Sequence, residues 1–288
     1  MGILFGGKET VNDILTTKGD IAYHDGTEVV RLPIGNNNEI LTVIDGLPTW
    51  ISTPPGDRGV FGGGYDGSAS NVMDYIEIST ESNATDFGDL TVSRELLGVA
   101  SNGINNRGLF SGGNNSSDSS VNIIDYITIS TVGNATDFGD LTVSRELLCA
   151  GCSNGTNERG VFGGGWSGSD VNVIDYVTIS TLGNATDFGD TSVTRNRLAS
   201  TSNGTNERGV FGGGNTTTQV NVIDYITINT TGNATDFGDL TVARQDLSAA
   251  SNDGNNRGVF GGGSGPSNVI DYITIDTIGN ATDFGDLT

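Results

Sequence analysis

The chain has 288 residues, with 35 acidic and 13 basic side chains, 45 glycines and a formal charge of −22. That balance excludes a nucleic-acid-binding surface, which needs clustered Lys and Arg to neutralise phosphates, and it suits a soluble protein facing cations or high salt. Helix-forming runs are missing and no apolar run approaches the ~20 residues of a membrane helix, so short strands joined by tight turns are expected, made in a cytoplasm without membrane insertion.

Residues 1–46 stand apart from the rest. Thr17-Lys18-Gly19-Asp20-Ile21-Ala22-Tyr23-His24-Asp25-Gly26-Thr27 reads as a hairpin turning at Asp25-Gly26. Arg31-Leu32-Pro33-Ile34-Gly35, Glu39-Ile40-Leu41-Thr42 and Gly46-Leu47-Pro48-Thr49-Trp50 follow it. On the residues alone this is a β-rich adaptor, too small for a core of its own.

Positions 47–288 hold five copies of one unit of about 50 residues. Arg-Gly-(Val/Leu)-Phe-(Gly/Ser)-Gly-Gly begins at Arg58, Arg107, Arg159, Arg208 and Arg257, at intervals of 49 to 52 residues. Asn-Ala-Thr-Asp-Phe-Gly-Asp begins at Asn83, Asn134, Asn184, Asn233 and Asn280, and Tyr75, Tyr126, Tyr176, Tyr225 and Tyr272 lie in register between the two anchors. The second unit predicts four strands, at Leu96–Ser101, Gly108–Phe110, Ile123–Ser130 and Thr136–Leu141. Ile127 and Ile129 alternate there with Thr128 and Ser130, as a half-buried strand requires. Turns are expected at Asn102-Gly103, at the glycine doublet and at Gly133-Asn134. Length varies in the tail after the glycines (Asn114–Ser120 against Ser264–Ser267), as in an exposed loop.

Thr49-Trp50-Ile51-Ser52 stands 49 residues ahead of Gly98-Val99-Ala100-Ser101, and is assigned the innermost strand of the first unit. Each of the five units is then one continuous stretch, and the expected fold is an all-β, five-bladed propeller. No strand is exchanged between first and last blades. Side-chain packing alone closes the ring, or the array is incomplete and is finished by a partner chain or by further residues.

The unit resembles the kelch motif. In that family a strand ends in a glycine doublet, a Tyr lies on the next strand, an aromatic follows, and an Arg precedes a small-residue strand. Here Gly112-Gly113, Tyr126, Phe138 and Arg145 take those places, with Phe where the family usually has Trp. The resemblance covers about four-fifths of the chain and implies a propeller. It implies no single role, because kelch propellers serve many.

The N-terminal segment resembles short β modules of bacteriophage tail fibres, in which a "KGD…DG…RLP(V/I)G…(Q/E)(V/I)L…G…P.W" pattern precedes the distal domain. That resemblance implies a virion structural protein, joined to other virion proteins through residues 1–46 and often a homotrimer.

Most candidate chemistry reduces to structure. Asp86, Asp137, Asp187, Asp236 and Asp283 lie in oxygen-rich turns that suit Ca²⁺ by ligand type. They are read instead as Asx turns that pair with repeat arginines, without metal or other cofactor. Arg58, Arg107, Arg159, Arg208 and Arg257, with Arg94, Arg145, Arg195 and Arg244, recur once per unit and are assigned to tying strands or blades together. Cys149 and Cys152 form a lone CxxC without a second pair, and His24 is the only histidine. The cysteines are taken as small residues of a narrow strand. The Asn-Ala-Thr triplets match glycosylation acceptors but are explained by turn geometry, and the glycine doublets lack the Lys-Ser/Thr of a phosphate loop.

No nucleophilic triad is available, and the carboxylate pairs recur unchanged where a catalytic site would break the symmetry, so no enzyme is expected. The informative variation lies at the loops after the glycines. Tyr65, Asp66, Trp166, Asn114 and Asn215 offer aromatic faces beside amide and carboxylate groups, a chemistry that suits sugar rings. The function expected is a virion appendage adhering to a host surface glycan. A capsid decoration protein and a polysaccharide-degrading tailspike are the alternatives.

Overall fold

The computed structural model describes residues 4–5, 9–10, 15–35, 39–44, 46–52, 58–102, 106–147, 150–153, 158–203, 207–252, 256–264 and 267–288. Cys149, Gly103 and Gly265-Pro266 lie outside them. The chain divides into two compact units, Met1–Gly56 and Asp57–Thr288.

In the N-terminal unit, Ile21–His24 pairs with Val29–Leu32 across the expected hairpin, with His24 opposite Val29. The Asp25 carboxylate accepts the backbone N–H groups of Thr27 and Glu28 at 2.8 and 2.9 Å and fixes the turn. A second hairpin pairs Glu39–Ile44 with Leu47–Ser52, Ile44 opposite Leu47. This corrects the assignment of Thr49–Ser52 to the first blade, and it moves the unit boundary from residue 46 to residue 56. The physical reason is local. Asp45-Gly46 is a two-residue hairpin sequence, Gly46 takes φ +82°, and a six-residue ladder closes before any distant strand is met.

The second unit is all-β, with no helix among the described residues, and its five sheets form a five-bladed β-propeller arrangement. Blade 2 is Gly98–Asn102, Arg107–Ser111, Ile123–Thr128 and Thr136–Asp140, antiparallel and in chain order from the inside outward. Blades 3, 4 and 5 repeat this order; blade 1 has Arg58–Gly62, Val72–Glu77 and Thr85–Asp89, three strands among the described residues. The four predicted strands therefore stand, with the first trimmed to begin at Gly98 because Leu96 takes φ +55°. A bulge recurs beside the Asp before each Tyr, as between Ile124 and Asp125, and redirects the outer strand.

The core is built at the faces where blades meet. Phe138 of blade 2 packs edge-on to Tyr126 (6.0 Å, 78°), and its cluster takes in Phe162, Val177 and Ile179 of blade 3. Close approach inside dictates the small residues of the innermost strands. A Cβ on Gly151 would stand 2.1 Å from the Val99 carbonyl oxygen of the preceding blade. The Ser200 hydroxyl donates to the Gly151 carbonyl at 2.8 Å, and Ser153, Ser202 and Ser251 likewise reach back to Ser101, Ser153 and Ser202. Cys152 is one of these small residues. It is buried and unpaired, and burial pushes its thiol up to about 12.

Candidate functional site

Two sets of arginines, the Asn and Asp of the turns and one variable loop per blade determine what each blade presents. The first set lies on the second strands. Arg107 stacks 4.7 Å over the Tyr126 ring and donates through Nη1 to the Ile179 carbonyl of blade 3 at 2.7 Å. Arg58, Arg159 and Arg208 stack on Tyr75, Tyr176 and Tyr225 and reach Ile129, Ile228 and Ile275 of the next blade in the same way. Arg58 also pairs with Glu77 at 2.9 Å.

The second set forms the buried ion pairs. Arg94, Arg145, Arg195 and Arg244 meet Asp125, Asp175, Asp224 and Asp271 at 2.6, 3.0, 2.8 and 2.7 Å, with all eight side chains essentially solvent-free. Each carboxylate also takes a hydroxyl from the turn leaving the preceding blade: Thr91, Thr142, Ser192 or Thr241. Other guanidinium donors go to carbonyls, while the buried Nε–H of Arg145, Arg195 and Arg244 has no hydrogen-bond partner among the described residues. Arg195 bonds the carbonyls of Val222 and Phe211 at 2.7 and 3.2 Å. Burial lowers the Arg195 pKa and the Asp224 charge opposes that shift. The whole connector between blades is thus clamped onto the blade that follows.

This differs from the sequence reading in its partner. Asp86, Asp137, Asp187, Asp236 and Asp283 are exposed. Asp86 and Asp283 accept the N–H of Gly88 and Gly285 at 3.1 and 3.2 Å, which is the expected Asx turn. The arginine partner is instead the Asp of the Asp-Tyr pair. A carboxylate in the middle of an apolar strand has no water to solvate it and must find a cation. Asp137 and its equivalents have water and need none.

The asparagine of each Asn-Ala-Thr segment does more than shape a turn. Asn134, Asn184, Asn233 and Asn280 each accept, through Oδ1, the N–H of Asp89, Asp140, Asp190 or Asp239 of the preceding blade at 3.1 Å. Gly133 and Ala135 donate to the carbonyls of Phe87 and Asp89, both at 2.8 Å, and the next three junctions repeat the pair. The outer strands of blades 1 to 4 are therefore each paired along their edge by the blade that follows.

The variable loops follow the glycine doublet. Tyr65, Asn114, Trp166 and Asn215 occupy one equivalent position on blades 1 to 4, and three of them open a small hairpin that closes on Ala69, Asp170 or Gln219, while Asn114 closes on Ser120. Equivalent positions on separate blades do not converge on one pocket. Tyr65 is 68% exposed and Asp66 beside it is exposed. Trp166 is half-buried, its backbone exchanging hydrogen bonds with Glu146 at 2.9 and 3.0 Å. Asn114 is buried and bonds Asp118 at 3.0 Å, and Asn215 bonds Gln245. Tyr65, Asp66 and Trp166 therefore keep free surface, whereas Asn114 is committed to its own loop and Asn215 to Gln245 of the connector that follows blade 4. Beside Trp166, burial raises the pKa of Glu146, as do the Asp118 and Glu95 charges, while a Ser120 hydroxyl at 3.1 Å lowers it.

A cavity of about 430 Å³ lies along the inner strands, lined among others by Ala100, Cys152, Thr201, Ala250 and the Arg58 end of blade 1. Its walls are small residues and backbone, and none of the loop-tip residues reaches it. Among the described residues no three His, Cys, Asp or Glu side chains converge to hold a cation.

In the N-terminal unit the fixed points of the pattern meet. The Asp20 carboxylate accepts Arg31 Nε at 2.7 Å and the N–H groups of Thr17 and Ile34 at 2.8 and 3.0 Å, and Trp50 Nε1 donates to the Pro33 carbonyl at 2.7 Å. Burial pushes the Asp20 pKa up, but the Arg31 guanidinium and the backbone donors outweigh it and hold the carboxyl at about 2. No protein-family model matches the chain, and no curated protein is detectably similar to it.

Proposed function

We propose that the chain is a bacteriophage virion appendage protein whose blades present their loop tips to a carbohydrate on the host surface. The observation that carries this reading is the contrast within each blade. Arg–Asp clamp, Tyr–Phe pair and Asn-Ala-Thr edge recur almost without change, while the position after the glycines reads Tyr65, Asn114, Trp166, Asn215 and Ser264. A rigid frame carrying varied polar and aromatic tips is what surface recognition needs, and aromatic faces beside carboxylate and amide groups fit sugar rings. The N-terminal unit supports the virion part, because Asp20, Arg31, Pro33 and Trp50 of the tail-fibre-like pattern form one hydrogen-bonded cluster.

Binding to an array of bacterial surface polysaccharides, with electron-microscopic labelling of intact particles, tests it. A saccharide signal that falls on replacing Tyr65 or Trp166 by Ala, with label on the tail, supports the proposal. Label on the head moves the protein to capsid decoration, and shortening of the saccharide makes it a depolymerase.

A further inference from the structure

Four junctions join five blades, and all four are built alike. The leading blade gives the aromatic of its outer strand, the residue that follows the strand (Leu90, Leu141, Thr191 or Leu240), its stacked arginine and the edge of that strand. The following blade gives a carbonyl to the arginine, an apolar residue beside that carbonyl, and the Asn-Ala-Thr edge. At these junctions Phe87, Phe138, Phe188 and Phe237 are no more than 3% exposed, as are Leu90, Leu141 and Leu240; Ile179, Ile228 and Ile275 on the receiving side are 0% exposed.

The same residues on the two remaining faces are open to solvent. On blade 5, Phe284 is 53% and Leu287 50% exposed. Arg257 is exposed, stacked on Tyr272 at 4.4 Å without the carbonyl that its four equivalents reach. A Cβ added to Gly285 meets nothing within 4 Å, whereas at Gly88, Gly139, Gly189 and Gly238 it would strike the next blade's backbone at 2.5 to 2.6 Å. On blade 1, Phe61 is 60% and Ile78 63% exposed, against 0 to 3% for Phe110, Phe162, Phe211 and Phe260. No hydrogen bond of the junction type joins blade 5 to blade 1 among the described residues.

We infer that the outer face of blade 5 docks onto the open face of blade 1 of a second copy of this chain, head to tail. The occupant is specified by the repeat itself. Each open face is one half of an interface the molecule already makes four times, with Arg257 poised for the Ile78 carbonyl and Asn83 for the Asp286 N–H. The two halves are different surfaces, so the contact is heterologous: it continues from chain to chain, and a symmetric face-to-face dimer does not satisfy it. The inference concerns the propeller unit and stands whether or not the protein binds saccharide.

The test uses the full chain in sedimentation velocity over a range of concentrations, with two variants on opposite faces, Phe61→Asp and Phe284→Asp. Wild type is expected to form concentration-dependent larger species, and each variant alone to lose that association by at least about tenfold. Mixed in equal amounts, the two variants should pair one to one and stop, because each retains the face the other has lost. Association through the N-terminal unit would be common to all preparations and cancels in the comparison. Phe284 also touches Tyr272, so Arg257→Glu serves as a second outer-face variant, and unchanged circular dichroism shows that all are folded. Wild type sedimenting like the variants overturns the inference, and so does either variant still associating with itself, or a mixture that fails to pair.

Discussion

The interior of a blade and its tip obey opposite rules. In the interior, Arg195, Asp224 and Ser192 form a buried hydrogen-bonded set at the junction of blades 3 and 4, and equivalent sets recur at the other three junctions. At the tip, Tyr65 on blade 1 and Trp166 on blade 3 replace one another with Asn114 and Asn215, and the backbone hairpin survives every change. The hairpin survives because its backbone is held from below: Gly64, Gly113, Gly165 and Gly214 donate to the carbonyls of Arg94, Arg145, Arg195 and Arg244 at 2.9 to 3.0 Å. The buried arginine thus does two jobs, clamping the connector with its side chain and seating the tip with its carbonyl. Tip sequence is free because its support is not.

The sharpest way to break that contrast is to remove a clamp. Arg195→Ala leaves Asp224 buried without its cation, and truncating one partner of such a pair costs about 3–5 kcal/mol. Chemical denaturation should show that loss, whereas the same substitution at the half-buried, partly solvated Arg197 should move the midpoint far less. Gly151→Ala is next. Its new Cβ meets backbone at Val99, which cannot step aside as a side chain could, and overpacking of this kind costs about 1–3 kcal/mol. The same measurement reads it.

A third test falls on the other unit and concerns pH. The Asp20 carboxyl, ordinarily near 3.8, is held at about 2, so its contribution to folding is complete above about pH 4 and is lost as the pH falls through about 2. Trp50 fluorescence in a Trp166→Phe background should report a transition in that window, and Asp20→Asn should remove the pH dependence. The smallest effect is expected at the tips: Tyr65→Ala and Trp166→Ala should each change stability by no more than about 0.5 kcal/mol. A larger loss at Tyr65 would mean that the tip is part of the frame.

The repeat made most of the blade readable. Arg-Gly-Val-Phe, Asp-Tyr and Asn-Ala-Thr-Asp-Phe-Gly-Asp, seen five times in phase, carry strand order and turn position together, so the four strands of blade 2 fall close to where alternation puts them. Four things were less legible. Trp50 looks like a blade strand at a spacing of 49 residues, but its strand pairs with Glu39–Ile44 in a local hairpin, and a short local ladder outcompetes a long-range pairing. The buried carboxylates were visible in principle, since Asp125 sits between Ile124 and Tyr126 in an otherwise apolar strand. Such a residue announces a buried cation, but which arginine supplies it depends on the path of the connector between blades. Likewise Asn134 looks like a turn residue because its bond crosses to another blade, 45 residues away. At the tips, the sequence marks variable positions, while exposure depends on which side chains the loop uses for itself, as Asn114 does and Tyr65 does not.

One consequence of the junction chemistry reaches beyond the single molecule. The recurring contacts between blades are written in repeat coordinates, so a chain with one unit more or fewer would still join each blade to a matching neighbour. A sealed ring would resist such a change, since its circumference fixes the number of units. With blade 5 and blade 1 unsealed, copy number becomes a quantity that selection can adjust one unit at a time, each step adding or removing one tip.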